Sequence, residues 1–222
     1  MNNPNWSDRI LPIYYAKPAR RNGMSGYEDE RGNFQPSVSH IQEVMRSLKE
    51  KARLNQWRRS QGAAANRACQ IGKLGHRLVE NFLKGETVSC PPILEPHWKQ
   101  LLPTLQKIHG IRLVESPVFH HYDGYCGRVD CVARLSALPE MAIEFKFSDR
   151  IKPIYPQQKM QLAAYTAALN RQYGTQFNQG LIVVATPDTI DVNLIDSSEL
   201  NQSWRQWQSL VARFWAQDLD VA

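Results

Sequence analysis

Cysteine is scarce in this chain, and long apolar runs are missing from it. Four cysteines occur in 222 residues, Cys69, Cys90, Cys126 and Cys131. None forms a C-x-x-C pair, and a chain of this length needs no disulfide staples. They read as reduced thiols in a cytoplasm. An iron–sulfur cluster needs four converging thiolates, and no spacing here recommends one. No apolar run reaches the length of a membrane-spanning helix, so no membrane association is expected. The opening MNNPNWSDRILPIYY has no charged segment leading into an apolar one, so a secretory signal is not expected either. Acids at Asp8 and Glu28–Glu30 argue against a transit peptide. There is no G-x-x-x-x-G-K-[ST] phosphate loop, hence no motor, and no internal repeat or low-complexity tract.

What is present is enough for a packed core. Hydrophobic residues make up 42% of the chain, and its length suggests one domain, with room for an appended element. The net charge is +6 and unevenly spread. Residues 1–85 carry 15 Lys+Arg against 7 Asp+Glu, whereas residues 86–222 carry 12 against 14. A basic first part beside a mildly acidic remainder points to a polyanion, of which nucleic acid is the commonest. The plain alternative is a solvated helical face with surplus Lys and Arg.

Residues 1–35 are polar and without period, and read as a loop or flexible arm. PSVSHIQEVMRSLKEKA reads as a helix, with Ser39 and Glu43 near a capping signal and Ile41, Val44, Met45 and Leu48 at helical spacing. The stretch from Arg53 to Glu86 reads as one or two more helices ending at Gly85, with an apolar stripe of Ile71, Leu74, Leu78, Val79 and Phe82. PPILEPHWKQLLPTLQKIHG is a short Pro-punctuated helix. From residue 111 the texture changes. IRLVESPVF, YCGRVDCVARL and MAIEFKF read as strands, the first two joined by a turn at Asp123-Gly124. An amphipathic helix follows at YPQQKMQLAAYTAALNRQYG, then strands GLIVVAT and IDVNLID. A last helix buries Trp204, Trp207, Leu210, Val211 and Phe214, a stripe better explained by core packing than by base stacking. The order predicts an α/β fold, a mixed sheet with helices packed on it.

Three charged residues interrupt these strands. Side chains alternate across a strand, so Glu144 and Lys146 share one face and Phe145 the other. If the two strands pair through the turn at Ser136–Glu140, Asp130 lies beside Glu144. Two carboxylates about 5 Å apart repel by roughly 3 kcal/mol at an effective dielectric of 20, enough to raise one pKa by about two units. Lys146 can neutralise part of this. A divalent cation such as Mg²⁺ does so better, because it prefers carboxylate oxygens and water. Such a site suits phosphodiester hydrolysis, with the metal activating water and the lysine stabilising the phosphorane charge or orienting the nucleophile.

E-x-K by itself says little. With each residue type at roughly 6% of a chain, one match is expected in about 280 positions, and a salt-bridge ladder on an exposed strand would explain it. The flanking pattern adds the information. His76 and Glu80 lie four apart on a helix behind Gly72 and Gly75, and Gln161 and Tyr165 lie four apart on the helix after the E-x-K strand. In order the chain reads G-x-x-G-H-x-x-x-E, E-x-P-V, G-x-V-D, E-x-K and Q-x-x-A-Y.

This order resembles the PD-(D/E)XK nuclease superfamily, in its RecB-like exonuclease branch, and is most similar to the mitochondrial genome maintenance exonuclease family and its phage and bacterial relatives. The resemblance covers roughly residues 34–170. FQPSVSHI resembles the entry motif, IGKLGHRLVENFLKG the histidine helix, VESPVFHHYDGYCGRVDCVARL and MAIEFKFS the core strands, and QQKMQLAAYTAALN the Gln/Tyr helix. It implies a restriction-endonuclease-like core with an N-terminal helical region. Residues 36–222 would form one nuclease domain, with residues 36–110 as a helical arch. It also implies that His76, Asp130, Glu144 and the backbone carbonyl of Phe145 hold Mg²⁺ or Mn²⁺, that Lys146 is catalytic, and that Gln161 supports the site and the DNA backbone beside Tyr165. Glu115 matches an acid on the first core strand without a fixed role. Glu80 reads either as a support for His76 or as an exposed helix acid, with the second preferred. Two features depart from the family: the proline before the strand aspartate is Val129 here, and no cysteine follows Cys131, so the iron–sulfur cluster of some relatives is not expected.

The expected activity is a metal-dependent exonuclease acting on single-stranded DNA or frayed ends in replication, recombination or repair. Trp57, Arg58, Arg59, Arg67, Lys73 and Arg77 on the helices, Arg150 and Lys152 after the E-x-K strand, and Tyr165 beside Gln161 are candidates for holding the strand. Three alternatives remain at this point. One is a structure-specific endonuclease on the same core. The second is a non-catalytic nucleic-acid-binding subunit, which the complete motif set disfavours. The third is a hydrolase using paired carboxylates alone, which leaves the lysine and the basic first part unexplained. The expected setting is a bacterial or phage-infected cell, nucleoid-associated rather than organellar, with a replication or recombination protein as a possible partner. Oligomeric state and polarity are open.

Overall fold

The computed structural model describes residues 5–219. Its centre is a five-stranded mixed sheet of β4 (Ile108–His120), β5 (Tyr125–Leu135), β6 (Met141–Phe147), β7 (Gly180–Ala185) and β8 (Ile190–Ile195), in that spatial order. All neighbours are antiparallel except β6 and β7, which run parallel. A parallel pair needs a crossover, and α5 (Pro156–Tyr173) supplies it. The mixed sheet flanked by helices is the core expected from the order of elements.

The middle strands are apolar on both faces because both are covered. On one face Val132, Ala142 and Ile182 pack against Leu162, Ala164 and Leu169 of α5 and Trp207 and Phe214 of α6 (Ser197–Leu219). On the other, Cys131, Ile143, Phe145 and Val183 pack against Ile71, Leu78 and Val79 of α3 (Gly62–Leu83) and Leu101 and Leu105 of α4 (Glu95–Leu105). The last helix buries Trp207, Val211 and Phe214, as its stripe predicts, and Trp215 also joins that cluster, donating from Nε1 to the Asp123 carbonyl (3.1 Å).

The first part of the chain differs from expectation in two places. Residues read as a flexible arm instead form an antiparallel sheet of β1 (Lys17–Arg21), β2 (Met24–Glu28) and β3 (Phe34–Pro36). The signal was there. Arg21 pairs with Met24 across a two-residue Asn22-Gly23 turn with φ of 48° and 79°, the double left-handed geometry that favours an Asn-Gly hairpin. Cys126 Sγ to the Gln35 carbonyl (3.0 Å) and Gln35 Nε2 to His121 (2.8 Å) tie this sheet to the β4–β5 hairpin. The helix expected to start near Ser39 is two helices, α1 (Val38–Val44) and α2 (Leu48–Ser60). Ser37, not Ser39, caps the first, and a Ser47–Glu50 capping box starts the second. Two caps ten residues apart divide what the apolar spacing joined.

Candidate metal and catalytic site

Paired positions of β5 and β6 run from Ala133–Met141 to Cys131–Ile143. One step further stand Asp130 and Glu144. Glu144 shares the α5 face with Ala142 by alternation, whereas the alternation of β5 breaks at Asp130, since Val129 and Val132 both lie on that face and Cys131 on the other. There Asp130 Oδ2, rather than a backbone carbonyl, accepts the Phe145 N–H at 2.7 Å. A carboxylate has thus taken a place in the ladder, and its other oxygen faces His76. Asp130 and Glu144 are only 6% and 2% exposed.

His76 arrives from the opposite layer. Helix α3 comes close enough to β6 that a Cβ on Gly75 would lie 2.4 Å from the Phe147 ring. Only a residue without a side chain lets the helix sit there, and the next residue, His76, then reaches past the strands. Its ring meets Phe147 edge-on at 5.9 Å, and its Nδ1 lies 3.3 Å from Asp130 Oδ1 and 3.5 Å from Glu115 Oε1. Ligand atoms of His76, Glu115 and Asp130 all lie within 4.8 Å of one another.

Glu115 follows from an irregularity. Its φ of 44° is left-handed, a conformation costing a non-glycine residue of order 1–3 kcal/mol. The neighbouring pairs Val114–Cys131 and Ser116–Val129 set it opposite Asp130. Arg128 Nη1 donates to the Glu115 carbonyl at 3.1 Å and holds the bend. Sequence reading singled out Glu115 as an acid without a role. The left-handed backbone and the Arg128 contact left no mark in the pattern.

The third part is a chain of hydrogen bonds on the α5 side. Lys146 Nζ donates to Glu144 Oε1 (2.7 Å) and Gln161 Oε1 (2.9 Å), and Gln161 Nε2 donates to the Tyr165 hydroxyl (3.0 Å). Tyr165 fits because β5 has Gly127 beneath it: a Cβ there would lie 2.2 Å from the ring. Tyr165 is 4% exposed. Its expected place among the nucleic-acid contacts is therefore corrected: buried, with its hydroxyl taken by Gln161, it orients the glutamine instead. Glu80, half-buried, pairs with Lys84 at 2.6 Å, and among the described residues no ion pair joins it to His76.

The electrostatics are those of a site short of positive charge. Burial would lower the His76 pKa, but hydrogen bonds to Asp130 and Glu115 and the charge of Glu144 outweigh it and push it up to about 10. Burial, then the Asp130 charge, pushes Glu144 up to about 7 against the pull of Lys146. Burial would likewise lower Lys146, yet Glu144 and Asp130 hold it above the ordinary lysine value. Burial chiefly raises Glu115. Glu144 Oε2 is buried with no hydrogen-bond partner, which is costly unless something binds it. Acid-rich, histidine-bearing and with an orphaned carboxylate oxygen, the residues fit a divalent cation that prefers oxygen donors and tolerates one imidazole.

Of the expected strand-holding residues, Arg58, Arg59, Arg67, Lys73, Arg77, Arg150 and Lys152 are all exposed. Trp57 is 46% exposed, so it is not a core residue. It lines a groove with Arg46, Arg53 and Tyr155, three residues that sequence reading did not single out. Arg53 and Trp57 are four apart, a spacing that was visible. What lies across from them was not.

No known family profile matches the chain. Among curated proteins, mitochondrial genome maintenance exonuclease 1 of Xenopus tropicalis is 28% identical over 221 residues, covering 90% of this chain and 61% of the relative. The Homo sapiens protein of the same name is 33% identical over 110 residues, 46% of this chain and 32% of the relative. The chain thus spans less than two thirds of these relatives. A solved structure from Eubacterium rectale has a TM-score of 0.45 at 14% identity, covering 67% of this chain and 66% of its own, too slight a likeness to assign a fold by itself. No helix among the described residues is long and apolar enough to cross a membrane.

Proposed function

From its homology to the mitochondrial genome maintenance exonucleases, we propose that this chain is a metal-dependent DNA exonuclease that hydrolyses single strands or frayed ends, with residues 36–222 as one nuclease domain. The observation that carries this is the convergence of His76, Glu115 and Asp130 within 4.8 Å, beside the Glu144–Lys146–Gln161 chain. His76, Asp130, Glu144 and the Phe145 carbonyl would hold Mg²⁺ or Mn²⁺, with Glu115 beside them. Such a cation supplies Lewis acidity, which polarises a phosphoryl oxygen and brings the pKa of water toward neutrality.

The protein's own groups do the rest. Lys146, held charged by its acids, is a cation and not a base. Its place is to stabilise negative charge developing on the phosphorus oxygens and to orient the attacking water. Gln161 fixes the ammonium from the helix side, and Tyr165 fixes Gln161. The Asp130 carboxylate accepts from the Phe145 N–H of the E-x-K strand, which holds it at a fixed distance from Glu144.

The test is digestion of end-labelled linear single-stranded DNA beside a covalently closed circle, with Mg²⁺, with Mn²⁺ and with EDTA. Loss of the linear strand only with metal, survival of the circle, and an inactive Lys146→Ala variant support the proposal, and the label gives polarity. Cutting of the circle makes the protein an endonuclease. Binding without cutting in any metal makes it a binding module.

A further inference from the structure

We infer that the groove between α2 and the start of α5 is a single-strand subsite, in which Trp57 and Tyr155 stack bases and Arg53 contacts a phosphate; this rests on the nuclease reading above. Helix α2 has no buried residue. Glu50, Arg53, Leu54 and Trp57 recur on it at steps of three and four, so they share one face. With Arg46 they line a groove whose far wall is Tyr155, Gln157 and Gln158. Its volume, about 540 Å³, lies in the range of sites that hold a nucleotide-sized ligand.

Four observations say what occupies it. Trp57 and Tyr155 are 46% and 51% exposed, and neither ring packs against another aromatic among the described residues. Large aromatic surface left in water on both walls suits planar ligands. Second, the acids of the groove's surroundings are already used: Glu50 closes the capping box of α2, and Glu43 pairs with Arg46. The same pair neutralises Arg46, whereas Arg53 has no ion pair among the described residues and is the cation of the groove left for a phosphate. Third, Arg150 and Lys152 lie exposed on the segment leading to Tyr155. Fourth, the groove and the catalytic chain share helix α5. Gln158 stands three residues before Gln161, about 4.5 Å along the helix axis, and Gln161 accepts from Lys146. Aromatic platforms beside cations are how unpaired strands are held, because every base offers a face to stack once it leaves its duplex. A duplex keeps those faces covered, so the groove selects single strands.

The experiment measures anisotropy of a labelled oligothymidylate with the full chain in EDTA, where no cleavage interferes. Trp57→Ala and Tyr155→Ala should each weaken binding by about 5- to 100-fold, the worth of one stacked base. Trp57→Phe should restore most of it. Arg53→Ala should lower the slope of log affinity against log salt by about 0.7, the loss of one phosphate contact. Binding of a blunt duplex should not change with Trp57→Ala. Since α2 buries nothing, the Trp57 and Arg53 variants should keep the wild-type circular dichroism, and Tyr155→Phe, which keeps a ring at the N-cap of α5, should keep most of the binding. Wild-type affinity in both aromatic variants, or an equal loss on the blunt duplex, overturns the subsite. It does so whether or not Lys146→Ala proves inactive with metal. Failure of all hydrolysis, with binding that still follows Trp57 and Tyr155, overturns the nuclease reading and leaves the subsite standing.

Discussion

At the centre of the sheet, Asp130 and Glu144 are almost wholly buried, Asp130 accepts from the Phe145 backbone, and Glu144, Lys146, Gln161 and Tyr165 are joined in one chain of hydrogen bonds. On helix α2, thirteen residues bury nothing, and Arg53 and Trp57 face open space. The first region fixes every side chain within a hydrogen bond's tolerance, at the cost of desolvating charge. The second keeps its cations solvated and its aromatics free. Chemistry on one phosphorus atom needs the first kind of surface, because developing charge is stabilised only by groups already aimed at it. Holding a strand of varying sequence suits the second, because stacking and phosphate contacts tolerate small displacements.

The contrast fails if an α2 residue proves as costly as a buried one. Lys146→Ala and Glu144→Gln should each slow hydrolysis by about 10²–10³-fold or more, the usual loss when a preorganised electrostatic group is removed. A rate assay at saturating DNA checks this, and an equal loss of kcat in Trp57→Ala would erase the distinction.

The buried site should also answer to pH where α2 does not. Without metal, His76 and Glu144 hold protons up to about pH 10 and about pH 7. A cation must displace them, so its affinity rises with pH, by about tenfold per unit for each proton released. The slope of log affinity should be near two below about pH 7 and near one above it. Titration of Mn²⁺ by thermal stabilisation between pH 6 and 8 reads it, and a flat profile would mean that these groups do not hold the ion. The sign for the metal-free fold is the same for both groups. A raised pKa gives stability that is present at low pH and lost as pH climbs to the folded value. Glu144→Gln should therefore flatten the decline between the ordinary glutamate pKa and about 7.

Two glycines of α3 sharpen the comparison within one helix. Gly75→Ala drives a methyl into Phe147, an overpacking worth about 1–3 kcal/mol, or a fall in melting temperature of about 2–10 °C. Gly72→Ala meets nothing within 4 Å and should gain about 0.5–1 kcal/mol from helix propensity. Calorimetry on both variants should give opposite signs. The smallest effect expected is that of Tyr165→Phe. It removes one buried hydrogen bond to Gln161, worth about 0.5–1.5 kcal/mol, so kcat should drop by about 2- to 10-fold with KM unchanged.

Much of this was legible before any coordinates. The strands Tyr125–Leu135 and Met141–Phe147 fall where alternation and turn residues put them, and the same alternation placed Glu144 and Lys146 on one face, toward the helix that carries Gln161. Repulsion between the two carboxylates was expected to raise the pKa of one of them, with neither singled out; it is Glu144, and burial proves the larger cause. The errors came from local signals passed over: Asn22-Gly23 as a hairpin turn, and Ser47 with Glu50 as a cap.

The sequence by itself determined the sheet, the helices that cover it, and the residue types that meet there, because period and turn chemistry act over a few neighbours. Tertiary structure alone decided that His76 of α3 meets acids of β4 and β5, that Glu115 bends left-handed to join it, and that Tyr155 lines one groove with Trp57 nearly a hundred positions away in the chain. These are relations between elements, set by how closely Gly75 and Gly127 let two layers approach, and no pattern within one element contains that distance.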